Sequence, residues 1–256
     1  MSDKKYEFGI ALGGGGARGF AHLGVLKALK EKGIEPGVIA GTSAGALAGV
    51  FIADGKSPDE AMKLMKENGI TDYAKVVMPV NGLLSLDNLE DILDEKIEAE
   101  KFEDLKIPMF ATVSNLNSGK AEYINKGKLI PTIKASASIP VLFAPVKIND
   151  VPYVDGGLLD NLPVEPLLDC CKKIIAISIS PVQEIKGVDN LVKVAARTFQ
   201  LSVNKNIHQL RDKVDLFIEP EGLEKFDILD TTNADELFDI GYEFASKLDL
   251  NEFLEE

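Results

Sequence analysis

The chain has 256 residues, 45% of them hydrophobic, and carries 28 Lys and Arg against 41 Asp and Glu, a formal charge of −13. That size suits one sizeable core, hence a single domain over residues 1–256. The acidic balance offers no basic stripe to phosphate, which argues against nucleic acid as a partner and against lasting attachment to an anionic membrane surface.

The N-terminal stretch Met1-Ser2-Asp3-Lys4-Lys5-Tyr6-Glu7 lacks the apolar region and cleavage pattern of a signal peptide. The longest apolar helix-like stretch, residues 44–53, falls well short of the roughly 18 residues that a membrane span requires. Cys170 and Cys171 are adjacent, which makes neither a disulfide framework nor a spaced metal motif, and with two histidines in all no metal site is expected. A cytoplasmic location is expected.

Taken along the chain, residues 6–12 form a first strand that stops at four glycines, Gly13 to Gly16. A helix follows over about 18–32, with Phe20, Leu23, Leu26 and Leu29 as its apolar stripe and Gly33 as its C-cap. A second strand covers Val38-Ile39-Ala40, and a second helix opens near Ala44. Ser57-Pro58-Asp59-Glu60 starts a third helix, with proline at its first position. Residues 73–86 are apolar and loop-like, and an acidic helix covers about 87–98. Strands are expected at 110–113 and 121–124. A strand pair within 143–154, turning at Asn149-Asp150, delivers Asp155-Gly156-Gly157 at its end. Further strands are expected at 174–179 and 215–218, with one long helix holding Arg197 and His208 between them, and a last amphipathic helix at 234–248. Short β-rich runs alternating with helices predict a three-layer α/β/α sandwich around a mainly parallel central sheet.

Gly41-Thr42-Ser43-Ala44-Gly45 is a G-x-S-x-G sequence between a strand and a helix, the pattern of a nucleophile elbow. The flanking glycines allow a sharp turn that pushes the serine hydroxyl out above the sheet, beside a helix N-terminus that favours developing negative charge. The competing role for Ser43 is a simple helix N-cap.

Gly13-Gly14-Gly15-Gly16-Ala17-Arg18-Gly19 contains G-x-G-x-x-G as Gly14, Gly16 and Gly19, again between a strand and a helix. A dinucleotide site would need an acidic residue at the end of the second strand. Glu35 precedes that strand, which ends instead at Gly41 and Ser43. No Gly-Lys-Ser/Thr follows, so a Walker-type loop fails as well. Successive glycine N–H groups, unobstructed by side chains, can instead converge on a carbonyl oxygen and stabilise its oxyanion. Arg18 either adds positive charge there or anchors the loop in an ion pair, and the anchor is favoured.

A serine nucleophile needs a proton acceptor. His22 lies one turn inside the first helix. His208 follows Asp155 in the order of ordinary α/β hydrolases, but it reads as mid-helix rather than as a loop residue. Asp155 is the better base: it ends a strand, and Gly156 and Gly157 let the backbone bend so that its carboxylate can approach the elbow. An ordinary Asx-turn is the alternative for this Asp-Gly pair.

These stretches together resemble the patatin-like phospholipase family. Gly14-Gly15-Gly16-Ala17-Arg18-Gly19, Gly41-Thr42-Ser43-Ala44-Gly45 and Asp155-Gly156-Gly157 fit its pattern. So do Ala135-Ser136-Ala137-Ser138-Ile139-Pro140, with Phe143 and Pro145, and Asp160-Asn161-Leu162-Pro163-Val164. The resemblance spans about residues 6–180. It implies a Ser–Asp dyad with Ser43 as nucleophile and Asp155 as proton acceptor, and an oxyanion hole around Gly14, Gly15 and Gly16. It also implies hydrolysis of lipid acyl esters with no metal or cofactor. Supporting positions are Arg18, Gly19, Gly41, Gly45, Gly156 and Gly157. The implied partner is a lipid or other acyl-ester substrate, met at a membrane or micelle by transient contact.

An aspartate of pKa about 3.9 is a poor base for a hydroxyl, so burial or a short hydrogen bond must raise its basicity. Residues 73–86, with Val76, Val77, Met78, Val80, Leu83 and Leu84, supply either a lid beside the site or a packed connector. A thioesterase using the same dyad and a non-enzymatic nucleotide-binding or regulatory module are the rival functions.

Overall fold

In the computed structural model, the described residues are 4–67, 86–184, 187–204 and 207–255. They form an eight-stranded sheet in the order β5-β6-β3-β2-β1-β7-β8, with β4 paired to β3. The strands are β1 (Tyr6–Leu12), β2 (Val38–Thr42), β3 (Met109–Asn115), β4 (Lys120–Ile124), β5 (Val146–Ile148), β6 (Val151–Asp155), β7 (Cys171–Ile177) and β8 (Leu216–Ile218). From β3 through β2, β1 and β7 to β8 every pairing is parallel, whereas β4, β5 and β6 enter antiparallel. In the parallel part β1 is joined to β2 through α1 (Phe20–Glu31), β2 to β3 through α2 (Ala44–Ala53), α3 (Pro58–Glu67) and α4 (Asp87–Lys96), and β7 to β8 through α6 (Leu191–Val203), while α5 (Leu129–Ser136) links β4 to β5. Two helices, α7 (Ala234–Ser246) and α8 (Asn251–Glu255), close the chain.

Alternation along the strands divides the core into layers. Ile10 and Leu12 of β1 point into the larger cluster with Leu23, Leu29, Phe51 and Leu237 from α1, α2 and α7. Ala11, between them, faces the opposite layer with Val38, Ala40, Ile174 and Ala176, where Leu162, Val164, Leu167 and Ile207 cover the sheet. The three-layer α/β/α sandwich expected from the alternation is therefore the observed architecture. A central strand buried on both faces cannot alternate in polarity, and all five residues of β2 are buried.

Several boundaries differ from expectation. The first helix is shorter, because Gly16–Gly19 forms a 3-10 turn before α1. That turn is pinned from outside, by the Ala17 N–H donating to Ile228 O at 2.8 Å. The long helix expected to hold both Arg197 and His208 is two elements: α6 ends at Val203, and His208 falls in a separate 3-10 turn, Ile207–Lys213. Helix α5 escaped the periodicity. It is eight residues long with Pro131 in its first turn, where the missing N–H costs no helical bond. The hairpin turn at Asn149 and Asp150 is as expected, both residues taking positive φ (50° and 65°), as a tight two-residue loop demands. Apart from Leu86, the segment 73–86 lies outside the described residues.

Candidate active site

The buried strand β2 runs straight into Ser43, whose backbone sits at φ 53° and ψ −119°. A non-glycine residue held there stores strain, as the tight strand-to-helix elbow requires. Ser43 occupies the N-cap position of α2, but its side chain makes no capping hydrogen bond, so the capping role is not the one its hydroxyl fills. Instead its N–H donates to Ser136 Oγ at 2.9 Å. Gly45 is required by close approach: a Cβ there would stand 2.1 Å from Leu12 O. Gly41 packs in the same way against the Gly45 carbonyl, and Gly19 against Ala44.

The glycine loop is held from three directions. The Gly13 N–H donates to Ile177 O at 3.0 Å and the Gly14 N–H to Asn161 O at 3.0 Å. His22, wholly buried, lies with Nε2 2.7 Å from Gly13 O. A carbonyl can only accept, so the proton is on Nε2. Burial holds the His22 pKa down at about 4, and the ring is neutral near pH 7. With the Gly14 amide engaged, Gly15 and Gly16 are the loop glycines that line the small cavity at Ser43, along with Ile139, Asn161 and Ser180. Among the described residues their amides make no backbone hydrogen bond outside the 3-10 turn. Gly16 has φ 59°, and a Cβ on it would meet Ile228 O at 2.2 Å.

Arg18 is an anchor, though not through an ion pair. It is buried and its guanidinium donates to backbone carbonyls: Phe226 O from Nε (3.1 Å) and Nη2 (2.8 Å), and Pro181 O from Nη1 (2.9 Å). Burial lowers its pKa to about 10, which leaves it a cation near neutrality.

Register explains how residue 155 reaches residue 43. On one edge of β3, β2 pairs as far as Thr42 opposite Thr112, while β4 occupies the other edge. From Val113 onward the first edge is taken over by β6, with Asp155 opposite Val113. The ends of β2 and β6 thus meet at consecutive positions of one strand. Asp155 is wholly buried. Its Oδ1 accepts the Gly157 N–H at 2.7 Å, so the Asx-turn exists, but it uses only one oxygen. Oδ2 has no partner at full hydrogen-bond geometry among the described residues. Burial drives the Asp155 pKa up to about 7, against smaller opposing effects from the Ser43 hydroxyl and the Gly157 amide. Here is the source of basicity that the sequence left open: desolvation of the carboxylate. Gly156 and Gly157 fit closely against Thr112 O and Asn161 Oδ1.

Four contributors, Ser136, Ser138, Asn161 and His22, were given no such role from the sequence. Ser136 takes the Ser43 amide hydrogen, and two residues on, Ser138 O accepts the Asp155 N–H at 2.8 Å. One short segment thereby fixes both residues of the pair. Asn161 both accepts from the Gly14 amide through its carbonyl and approaches Gly14 O with Nδ2 (3.4 Å). The ordered Ala-Ser-Ala-Ser-Ile-Pro and Asp-Asn-Leu-Pro motifs were the available signal for Ser136 and Asn161. His22 gave none beyond its position one turn into α1. Among the described residues, no group of three or more His, Cys, Asp or Glu side chains is gathered as a metal site would require, and no helix is long and apolar enough to cross a membrane.

An open, mainly parallel sheet with a strained serine and a buried carboxylate at adjoining strand ends defines a serine–carboxylate site on an α/β/α sandwich. Residues 10–168 match the patatin-like phospholipase family, and the chain belongs to that family. It is 35% identical over 160 residues to an uncharacterized NTE family protein of Mycobacterium tuberculosis, covering 62% of this chain and 44% of that protein. Over 271 residues it is 24% identical to a lysophospholipase of Emericella nidulans, covering 93% of this chain and 18% of that protein. The chain thus spans less than half the length of these curated relatives. The fold is similar to that of VipD from Legionella pneumophila, with a TM-score of 0.58 at 16% identity, over 94% of this chain and 66% of that one.

Proposed function

We propose that the chain is a serine acyl hydrolase acting on lipid acyl esters, with Ser43 as nucleophile and Asp155 as its general base. The observation that carries this is the pairing of a strained serine with a buried carboxylate whose pKa is raised to about 7, next to glycine amides on one cavity. Membership of the patatin-like phospholipase family and likeness to a protein named as a lysophospholipase support the lipid ester as substrate class.

In the first step Asp155 Oδ2 takes the hydroxyl proton as Ser43 Oγ bonds to the ester carbonyl carbon. Negative charge collects on the carbonyl oxygen, where the amides of Gly15 and Gly16 stabilise it together with the N-terminal end of α2. Collapse expels the alcohol, which regains the proton from Asp155, and leaves an acyl group on Ser43. Water, deprotonated by the same carboxylate, then attacks the acyl-enzyme, releases the fatty acid and restores the serine. A base whose pKa lies near neutrality suits both halves, since it can accept and return a proton at modest cost.

The test is labelling with a fluorophosphonate probe and peptide mapping, followed by turnover of phospholipid, lysophospholipid, p-nitrophenyl ester and acyl-CoA substrates. Label on Ser43, lost in Ser43→Ala along with lipid ester hydrolysis, is the expected result. Acyl-CoA turnover far above that of oxygen esters would reassign the chain as a thioesterase, and failure of Ser43 to react at all would remove the nucleophile.

A further inference from the structure

The cavity at Ser43 has a volume of about 20 Å³, room for about one water molecule and far too little for an acyl ester. Ser43 itself is buried. Some wall must therefore move before a lipid can react. Among the described residues one wall is Ile228, whose carbonyl is fixed by the Ala17 N–H, and the others are of two kinds. Gly15, Gly16, Ile139, Asn161 and Ser180 belong to loops tied into the sheet or to the catalytic pair, whereas Phe199, Gln200 and Val203 all come from α6.

The polar bonds made by α6 itself stay close to it in the chain. Its N-cap, Asn190, accepts the Lys193 N–H; Arg197 bonds Gln183 O and Gln200 Oε1; Lys193 pairs with Asp189; Asn204 bonds Gln200 O. Every one of these partners lies within residues 183–204. The helix is held to the body by packing of Ala196, Phe199, Gln200 and Val203, while the root of its segment is fixed by Arg18 on Pro181 O. Beyond the segment, Gln183 Nε2 donates to Glu224 O; with Gln183 as the fixed end, lifting α6 gives up the Arg197–Gln183 bond and keeps the bonds within 189–204.

Its outward face is unusual for a chain of charge −13. At helical spacing that face carries Leu191, Val194, Thr198, Leu201 and Ser202, with no charged side chain. Leu191 is 76% exposed and Leu201 50%. Lys193 and Arg197 border it on one side. Leu158 and Leu159, also exposed, continue the apolar surface on the turn against which α6 packs. An uncharged face bordered by cations is the pattern of a helix that lies in a lipid interface, its apolar side among acyl chains and its cations at the headgroups.

We propose that α6 covers the Ser43 cleft and that its outward face enters a lipid surface, drawing Phe199, Gln200 and Val203 away from the serine. The proposal deepens the hydrolase reading and rests on it for the substrate, but the docking face can be tested without catalysis. Ser43→Ala protein is sedimented with phosphatidylcholine vesicles beside the same protein carrying Leu191→Asp, Val194→Asp and Leu201→Asp. Circular dichroism verifies that both are folded. The expected result is that the first partitions to vesicles and the second does so at least about tenfold less. Equal partition overturns the docking face. So does a change in elution volume on size exclusion with vesicle partition unaltered, which would make the face a contact between copies of this chain.

The cover is read separately, from the rate at which a soluble fluorophosphonate labels Ser43 in protein that has the native serine. Vesicles should raise that rate several-fold in the native chain and not in the triple variant. A rate indifferent to vesicles overturns the cover. Absence of label under every condition overturns the hydrolase reading, while sedimentation of the Ser43→Ala proteins still decides the docking face.

Discussion

Ser136 and Ser43 lie 93 residues apart, and the hydroxyl oxygen of the first accepts the amide hydrogen of the second at 2.9 Å. Both residues are buried, so the strained elbow has one of its backbone donors satisfied by a side chain from α5 rather than by its own helix. The same segment takes the Asp155 amide at Ser138 O. Ser43 and Asp155 are thus both tied to a single short stretch.

Ser136→Ala should leave the Ser43 N–H buried without an acceptor, at a cost of about 1–3 kcal/mol. The expected outcome is a lower melting temperature together with a reduced kcat at nearly constant KM, and partial recovery in Ser136→Thr, which keeps the hydroxyl. Native kcat and stability in Ser136→Ala would show that the bond does not hold the nucleophile. Thermal melts and steady-state kinetics on a short soluble ester supply both readings.

Turnover should rise with pH through about 7, the value to which burial lifts the Asp155 pKa, because only the ionised carboxylate accepts the serine proton. Asp155→Asn removes the acceptor and should cost about 10²–10⁴-fold in kcat, with no recovery at high pH. A pH–rate profile on the soluble ester checks this. A profile flat from pH 5 to 9 would count against Asp155 as the base.

The same shift has an opposite consequence for stability. The folded-state pKa of Asp155 lies above that of the unfolded chain, so the folded protein holds this proton more tightly. Its stabilising contribution is complete below about pH 4 and is lost as pH rises through about 7. Above that, the native state contains a desolvated carboxylate that the Ser43 hydroxyl and the Gly157 amide compensate only in part. Asp155→Asn should therefore be the more stable protein at pH 8 by a few kcal/mol, with the gap shrinking toward pH 4. Urea titrations at pH 4, 6 and 8 would disprove this if the difference were independent of pH.

His22 works in the other direction. Burial depresses its pKa to about 4, below the unfolded value of about 6.5, so its contribution is complete above about pH 6.5 and is lost as pH falls toward 4. His22→Gln keeps a donor for Gly13 O without titrating. It should flatten the loss of stability between pH 6.5 and 4 while retaining most of the activity at pH 8. Denaturant midpoints of the two proteins across that range decide it, and an unchanged acid limb would remove His22 as a cause.

Much of the fold was legible because its signals are local. The apolar run 6–12, the glycine turn after it and the Ser-Pro-Asp-Glu helix start each report a backbone preference of their own residues. Helix α5 was not legible: proline in its first turn and a length of eight residues hide its periodicity. The division between α6 and the turn bearing His208 was likewise hidden, because both stretches have helical composition and only the surrounding packing separates them. Of the site, the chemical groups could be read along the chain, yet Arg18 as a clamp on backbone carbonyls could not, because its acceptors lie 163 to 208 residues away. The role expected of Gly14 depended in the same way on a distant partner, Asn161.

By itself, then, the order of residues determined which groups exist and which turns can present them: a serine between glycines after a strand, an aspartate before two glycines, a run of amides without side chains. What only the folded chain decided is their separation, their exposure to water and hence their reactivity. Those follow from β2 and β6 ending at consecutive positions on the same edge of β3, and from the exclusion of solvent around Asp155. Register and desolvation arise from contacts between residues far apart in the chain, and no local pattern encodes them.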